Sequence, residues 1–428
     1  MANWAHWMLK NPTTLWFGAN QFLCKTGVLQ GDPCSPFLFA IALTPVIEKL
    51  ASLALLKQLW YLDDGLLFGT LEELTAAVKL LEEELPLRGL CLNRAKCELL
   101  TSVTTLSCDE LRGIPILSTT TDWGFLGAPL TDEVGGSVTA ATARALEVTD
   151  KLAMIAEACP LEVLCMLRFT AGACKVEHIC KAASASILED TMLLQVSKGL
   201  RKVLQQIVKV GDLSTKSWQQ AFLPTKLGGL GIRDPLAIAR SARLASIINC
   251  KAQALRLEAE LSYIQAVQST AEWDLQQVLS IQPLPPLQPS VELQKTLSNV
   301  VYSQQYAVLV AGDIQLGSRL GSLSTPHAMD WTCGVSRWFQ LDPKQVGAAL
   351  RWVLGVPLRD GMYRCPDCNF NADQMGHHAV ACVKAGGAIF TATTLSGIHY
   401  YRSQLRQVLL WSVNAPYQVT LLCALRTS

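Results

Sequence analysis

The sequence is short of charge. Only 17% of its 428 residues are Asp, Glu, Lys or Arg, and 36 basic against 35 acidic side chains leave a formal net charge of +1. Bulk electrostatic attraction to a phosphate backbone is thereby excluded, so any nucleic-acid surface has to come from local clustering of cations. Half of the residues are hydrophobic, which excludes a disordered chain and points to a core-rich one. No apolar run is long and uncharged enough to span a bilayer. The opening Met1-Ala2-Asn3-Trp4-Ala5-His6-Trp7 lacks the layout of a secretory leader. The expected setting is therefore intracellular, nucleus or cytoplasm, with no membrane partner. There is no internal repeat. Fifteen cysteines in irregular spacing then read as reduced thiols with one metal site among them. The length accommodates two to four domains.

Two adjacent carboxylates organise the first third of the chain. Leu59-Trp60-Tyr61-Leu62-Asp63-Asp64-Gly65-Leu66-Leu67-Phe68 has two apolar runs around an Asp-Asp-Gly turn, the pattern of a β-hairpin with both acids at its tip. Ionised carboxylates beside a low-dielectric core call for a partner, and side-by-side hard oxygens suit Mg²⁺. The same string also fits an ordinary Asp-Gly turn whose acids face water. Upstream, Gly27-Val28-Leu29-Gln30-Gly31-Asp32-Pro33-Cys34-Ser35-Pro36 leads into a long apolar segment. Ser35 ahead of Pro36 predicts a helix start with Ser35 as the N-cap, an electropositive terminus, and a glycine that allows close approach.

At these residues the chain resembles the reverse transcriptases of retrotransposons that lack long terminal repeats. Gln30-Gly31-Asp32-Pro33-x-Ser35-Pro36 is similar to their template- and nucleotide-contacting motif, with Cys34 where leucine is common, and Tyr61-Leu62-Asp63-Asp64 is similar to their catalytic box. Leu90-Cys91-Leu92-Asn93-Arg94-Ala95-Lys96-Cys97 resembles the next palm motif, and Phe125-Leu126-Gly127 the primer-grip turn. The resemblance runs from about Trp4 to about Gly387. It implies Asp63 and Asp64 as catalytic residues, Asp63 as a Mg²⁺ ligand, and Gln30, Gly31, Tyr61 and Lys96 as nucleotide or template contacts. Lys96 is equally readable as a plain surface lysine. The family's first catalytic aspartate lies on a motif before the tract that starts here at Asn3-Trp4 and has no counterpart. Asp32 and Asp109 are not replacements, since neither lies in a matching apolar strand.

Beyond the hairpin, Thr70 and Glu73 form a capping-box pair ahead of Leu71, Leu74, Val78, Leu81 and Leu85, a helix that should end at Pro86 and cover one face of the palm sheet. Glu82-Glu83-Glu84 reads as a solvated face. After Gly135-Gly136 a helical stretch to about Val210 stands where the family has its thumb. There Lys198, Arg201, Lys202 and Lys209 oppose Leu200, Val203, Leu204, Ile207 and Val208, a basic face that either follows a duplex backbone or is simply solvated. Leu223-Pro224-Thr225-Lys226-Leu227-Gly228-Gly229-Leu230-Gly231-Ile232-Arg233 resembles a turn that follows the thumb, and Pro283-Leu284-Pro285-Pro286-Leu287-Gln288-Pro289 reads as a stiff linker. Cys365-Pro366-Asp367-Cys368, His377 and Cys382 give C-x2-C-x8-H-x4-C, three thiolates and an imidazole able to close a structural Zn²⁺ site. His378 is an equal alternative to His377. Retrotransposons whose protein ends in a restriction-like endonuclease carry a similar knuckle, but here Gly386-Gly387 leads to Thr391-Ala392-Thr393-Thr394 and a tail too short for a nuclease.

The expected fold is α+β. It comprises a partial right-hand polymerase palm of antiparallel sheet and helices (1–132), a thumb-like helical region (133–235), a helical connector with the proline-rich linker (236–325), a zinc-knuckle region (326–390) and a divergent tail (391–428). The expected partners are an RNA template, a DNA primer or target and, in an intact relative, deoxynucleotides. The expected activity is RNA-directed DNA synthesis that this chain does not perform alone; a non-catalytic RNA- or DNA-binding remnant and a relic without function are the alternatives.

Overall fold

A computed structural model describes residues 6, 10, 12–24, 27–29, 31–53, 56–100, 111–117, 124–129, 136–183, 191–256, 260–279, 283–332, 341–376, 378 and 382. Helices and small sheets are mixed, as an α+β chain requires, in two compact units, Met1–Leu126 and Gly127–Ser428.

In the first unit, β1 (Thr13–Phe17) and β2 (Asn20–Cys24) form one antiparallel hairpin, and β3 (Lys57–Tyr61) and β4 (Asp64–Phe68) form another. Helix α1 (Ser35–Leu50) lies between them in sequence. It starts at the expected place but is capped differently: the Ser35 hydroxyl donates to the Asp32 carboxylate at 2.7 Å, and the Cys34 N–H reaches the other oxygen at 3.4 Å. Cys34, not Ser35, is therefore the N-cap residue, no side chain caps the first helical amides and Asp32 braces the turn ahead of them, while Pro36 sits in the first turn as the sequence predicts. Helix α2 (Leu71–Glu84) has its capping box intact, with Thr70 Oγ1 accepting from the Glu73 N–H and the Thr70 N–H donating to Glu73 Oε2. Leu43, Val46 and Leu50 of α1 meet Ala77 and Leu81 of α2 and Leu85 in one buried cluster, and Trp60 and Leu67 of the hairpin pack against it. The period-2 alternation of β3 and the 3.6-residue repeat of α2 thus bury one face each against the other.

The glutamate run after Lys79 is not merely solvated. Glu82 accepts a two-pronged contact from Arg94 at 2.6 and 2.8 Å, and Glu84 accepts from Lys49 at 2.6 Å and Arg88 at 3.1 Å. The hydrogen bond from Arg94 holds the Glu82 carboxyl below its usual range, and that from Lys49 does the same for Glu84. These cations outweigh the unfavourable position near the helix C-terminus. Arg94 also donates to the Arg112 carbonyl, so this one side chain ties the Asn93–Cys97 turn both to α2 and to the Arg112 segment. Short strands β5 (Leu99–Leu100) and β6 (Ile116–Leu117) pair in parallel, and β7 (Gly124–Phe125) closes the unit.

The second unit opens with β8 (Ala128–Pro129) and is then helical: α3 (Gly136–Ile155), α4 (Pro160–Phe169), α5 (Glu177–Ala182), α6 (Thr191–Val208), α7 (Thr215–Phe222), α8 (Pro235–Arg256), α9 (Leu261–Val278), α10 (Leu293–Ala311), α11 (Ile314–Leu323) and α12 (Pro343–Leu354). The apolar stripe expected on α6 is buried along its length, at Leu200, Val203, Leu204, Ile207 and Val208. One core holds these residues together with Leu164, Leu167, Leu230, Ile232, Leu350 and Leu354. Helices α3 to α7 and helix α12, which precedes the cysteine cluster, therefore share a single interior. Between α7 and α8 a Cβ on Gly229 would lie 2.0 Å from the Leu223 carbonyl oxygen, so the glycine-rich turn is required by close backbone approach. Buried Arg168 crosses the core to bond the carbonyls of Leu230 and Thr332. The proline-rich segment has no regular structure, and its Leu284 and Leu287 pack against a second cluster formed by α8, α9 and α10.

Candidate catalytic hairpin and metal centre

The turn between β3 and β4 is tighter than the Asp-Asp-Gly string predicts. Tyr61 pairs with Asp64, so Leu62 and Asp63 alone make the turn, and Asp64 is already the first residue of β4. Gly65 lies within the strand opposite Trp60, where a Cβ would stand 2.5 Å from the indole ring. The indole covers that position and donates its N–H to Gln58. Leu62 adopts φ of 55°, a left-handed conformation that costs a non-glycine residue on the order of 1 kcal/mol and is tolerated where the surroundings over-determine it. Both carboxylates are exposed, not buried beside the core. Alternation sets Asp64 on the outer face of the hairpin with Tyr61, Leu59, Leu66 and Phe68, while Gln58, Trp60 and Leu67 face inward. Tyr61 is 61% exposed.

Gly31 precedes α1 at φ of 92°, and Gln30 lies outside the described residues. Lys96 is exposed at the end of the turn that Arg94 anchors. Leu126 and Gly127 take φ of 53° and 76° in succession after Phe125, the two central positions of a tight hairpin turn. Asp109 lies outside the described residues. Among those described, the only cluster of three or more His, Cys, Asp or Glu ligand atoms is elsewhere, so Asp63 and Asp64 gain no third acid there.

That cluster is Cys365, Cys368, His378 and Cys382, whose ligand atoms all lie within 4.8 Å of one another. Strands β9 (Tyr363–Arg364) and β10 (Asn371–Ala372) form the knuckle, with Asn369 at φ of 61° in its turn. The Cys365 N–H donates to Phe370 and the Asn369 N–H to Cys365, which folds the first two thiols inward. Cys382 N–H donates to the His378 carbonyl, the one-turn spacing that puts imidazole and thiol on the same side. Cys368 Sγ stands 3.1 Å from His378 Nε2 and Cys365 Sγ 3.8 Å from Cys382 Sγ. Cys365 and Cys382 are buried. His377 lies outside the described residues, and the imidazole standing among the thiols is that of His378. A soft S₃N donor set at this spacing fits Zn²⁺.

The basic face of α6 is compensated by acids, a feature its own sequence does not reveal. Arg201 pairs with Asp212 at 2.8 Å, Lys202 with Asp150 of α3 at 3.1 Å and Lys209 with Glu157 at 2.7 Å. Lys198 has no ion pair among the described residues.

Residues 3–130 match the sequence model of the family described as reverse transcriptase (RNA-dependent DNA polymerase). That stretch contains Gly31, Tyr61, Asp63, Asp64 and Lys96, and the match supports a reverse-transcriptase-like function for it. No curated protein matches the chain. No helix among the described residues is long and apolar enough to cross a membrane.

Proposed function

We propose that the first unit is the catalytic-hairpin part of a reverse-transcriptase palm from a retrotransposon without long terminal repeats, of the type that carries a restriction-like endonuclease. The observation that carries this reading is the exposed Asp63-Asp64 pair where a two-residue turn with a left-handed Leu62 enters β4, inside the stretch that matches the family. Asp63 is the residue that would hold Mg²⁺, with Asp64 supporting it, and a metal held there would supply the Lewis acidity that attack of a primer 3′-hydroxyl on a deoxynucleotide α-phosphate needs. Tyr61 offers an aromatic surface beside Asp64. Gln30, Gly31 and Lys96 are the nucleotide- or template-facing residues, and Phe125, Leu126 and Gly127 the primer grip. Lys198, Arg201 and Lys202 follow a duplex backbone only where the phosphates displace Asp212 and Asp150. Cys365, Cys368, His378 and Cys382 hold a structural Zn²⁺.

The same observation limits the chain. Among the described residues no third acid joins Asp63 and Asp64, and two adjacent carboxylates alone hold a metal pair poorly, so little or no DNA synthesis is expected from this chain alone. Losing a direct ligand costs several kcal/mol of transition-state stabilisation, or roughly three decades in rate. Primer extension with Mg²⁺ and deoxynucleotides is expected to be absent for this chain. It should appear when the upstream palm and fingers of a reverse transcriptase are fused before residue 1, and vanish again with Asp63→Ala. Extension by the chain alone overturns the inactivity; extension by the fused Asp63→Ala protein overturns the catalytic assignment.

A further inference from the structure

The hairpin that carries Asp63 and Asp64 is fastened by two side chains on the face away from Asp64. Gln58 and Trp60 stand two residues apart on β3, and so on the same, inward face. The Trp60 indole N–H donates to Gln58 Oε1 at 2.8 Å, and Gln58 Nε2 donates to the Ile47 carbonyl at 2.9 Å. Ile47 lies in the last turn of α1, where its carbonyl also accepts from the Ala51 N–H at 3.0 Å. The indole is thereby held by its single donor, and Gln58 uses one donor and its acceptor to join the strand to the helix.

The other end of the indole reaches the opposite strand. Its six-membered ring lies over Gly65, where a Cβ would stand 2.5 to 2.8 Å from Cζ3, Cη2 and Cε3. Gly65 follows Asp64 and pairs with Trp60 across the ladder. A glycine beside the acid is the loosest joint of the hairpin tip, because it has the widest choice of backbone conformations. The ring closes the inward side of that joint, as aromatic residues do for glycines in designed sheets. It also packs against the cluster that contains Val46, Leu50 and Leu81. A two-stranded hairpin is marginal in water by itself, so the orientation of this one depends on what ties it to α1 and α2.

We propose that Gln58 and Trp60 are positioning residues for the metal-holding acids: the link from Ile47 through Gln58 and Trp60 to Gly65 fixes the entry of β4, and with it Asp64 relative to Asp63, against α1. The inference rests on the reading of Asp63 and Asp64 as a divalent-metal site. Helix α1 begins just after the Gly31 turn, so a hairpin fastened to α1 also keeps a fixed bearing to the residues assigned to the nucleotide. Packing alone would require the ring but neither hydrogen bond, and a site geometry held by locked side chains requires both.

Mn²⁺ serves as the probe, because it takes the same oxygen ligands as Mg²⁺ and broadens nearby amide resonances. Titrating the full chain with Mn²⁺ and following the Gly65 amide gives an affinity, which Asp63→Ala should remove. Gln58→Leu changes the volume little and cuts both hydrogen bonds; it should weaken Mn²⁺ binding by about fivefold, the worth of roughly one hydrogen bond. Trp60→Phe loses the N–H and part of the ring and should weaken it by a similar factor. Leu81→Ala, in the same cluster but outside the link, should lower the melting temperature and leave the affinity unchanged. In the wild type the Trp60 indole N–H should exchange with solvent more slowly than that of exposed Trp273. Equal exchange rates overturn the proposal without any variant. Wild-type affinity in whichever of Gln58→Leu and Trp60→Phe keeps the native circular dichroism overturns it too, and leaves the metal assignment standing. Broadening that Asp63→Ala does not remove, or none in the wild type, overturns the metal assignment and the positioning role with it.

Discussion

The two candidate sites solve opposite problems with the same material. The Asp63-Asp64 hairpin displays its ligands: both acids are exposed, the turn beneath them is left-handed at Leu62, and one of its two faces stays in water. The Cys365–Cys382 knuckle hides its ligands: two thiols are buried, and backbone hydrogen bonds close the turn around them. An exposed acid pair is suited to a metal that arrives with substrate and keeps several waters. A closed S₃N cage leaves no position open for a substrate and serves the fold. The surroundings match this division. The acids sit over a modest cluster of α1, α2 and hairpin residues, whereas the second unit has a continuous interior running from α3 to α12.

The sharpest way to break this contrast is to remove metal. Zinc is expected at one equivalent in the purified chain, and structural zinc contributes on the order of 10 kcal/mol to the fold of small sites. Chelation, or Cys365→Ser, should therefore abolish hydrogen-exchange protection around β9 and β10 and leave α3 through α8 protected. Asp63→Ala should change neither zinc content nor protection. A knuckle that stays protected without metal removes the structural role.

What the sequence made legible follows periodicity and spacing. The capping box at Thr70, the buried stripe of α6, the hairpin around Asp63 and the C-x2-C start of the knuckle were each readable because a local pattern determines them. What escaped was non-local or a matter of one residue. Nothing in the α6 sequence says that Asp150, Glu157 and Asp212 neutralise its cations, and nothing in Glu82-Glu83-Glu84 shows that Arg94 and Lys49 reach it. Cys34 took the N-cap position from Ser35, and the Asp32 carboxylate two residues before it holds the Cys34 amide and the Ser35 hydroxyl in the turn. The i to i+4 relation of His378 and Cys382 was the one available signal for choosing between adjacent histidines.

A second difference between the units lies in how they treat an acid. Asp234, just ahead of α8, is buried, and burial pushes its carboxyl from 3.8 up to about 6 against hydrogen bonds from Ser197 and the Leu236 N–H. The folded chain thus keeps a proton that the unfolded chain releases near pH 4. This contribution to stability is full below that pH, declines as pH rises toward about 6 and is lost above it, a difference of about 3 kcal/mol. Asp234→Asn keeps an oxygen acceptor for Leu236 and should flatten the decline, gaining on wild type at pH 8 relative to pH 4 in denaturant titrations. A wild-type and variant pair with parallel pH profiles would show that folding does not shift the Asp234 carboxyl.

The smallest expected effect tests the strain at the exposed site. Glycine tolerates φ of 55° without a Cβ penalty, so Leu62→Gly should stabilise the hairpin by about 1 kcal/mol, less whatever packing the partly exposed leucine supplies. Strain that serves positioning has a second signature. In the fused, active protein the same substitution should lower the rate of nucleotide addition while stability rises, because a freer turn no longer fixes Asp63 relative to Asp64. A turn that is strained only by accident gives the stability gain with the rate unchanged. Folding free energy and single-turnover extension, measured on the same variant, separate the two outcomes.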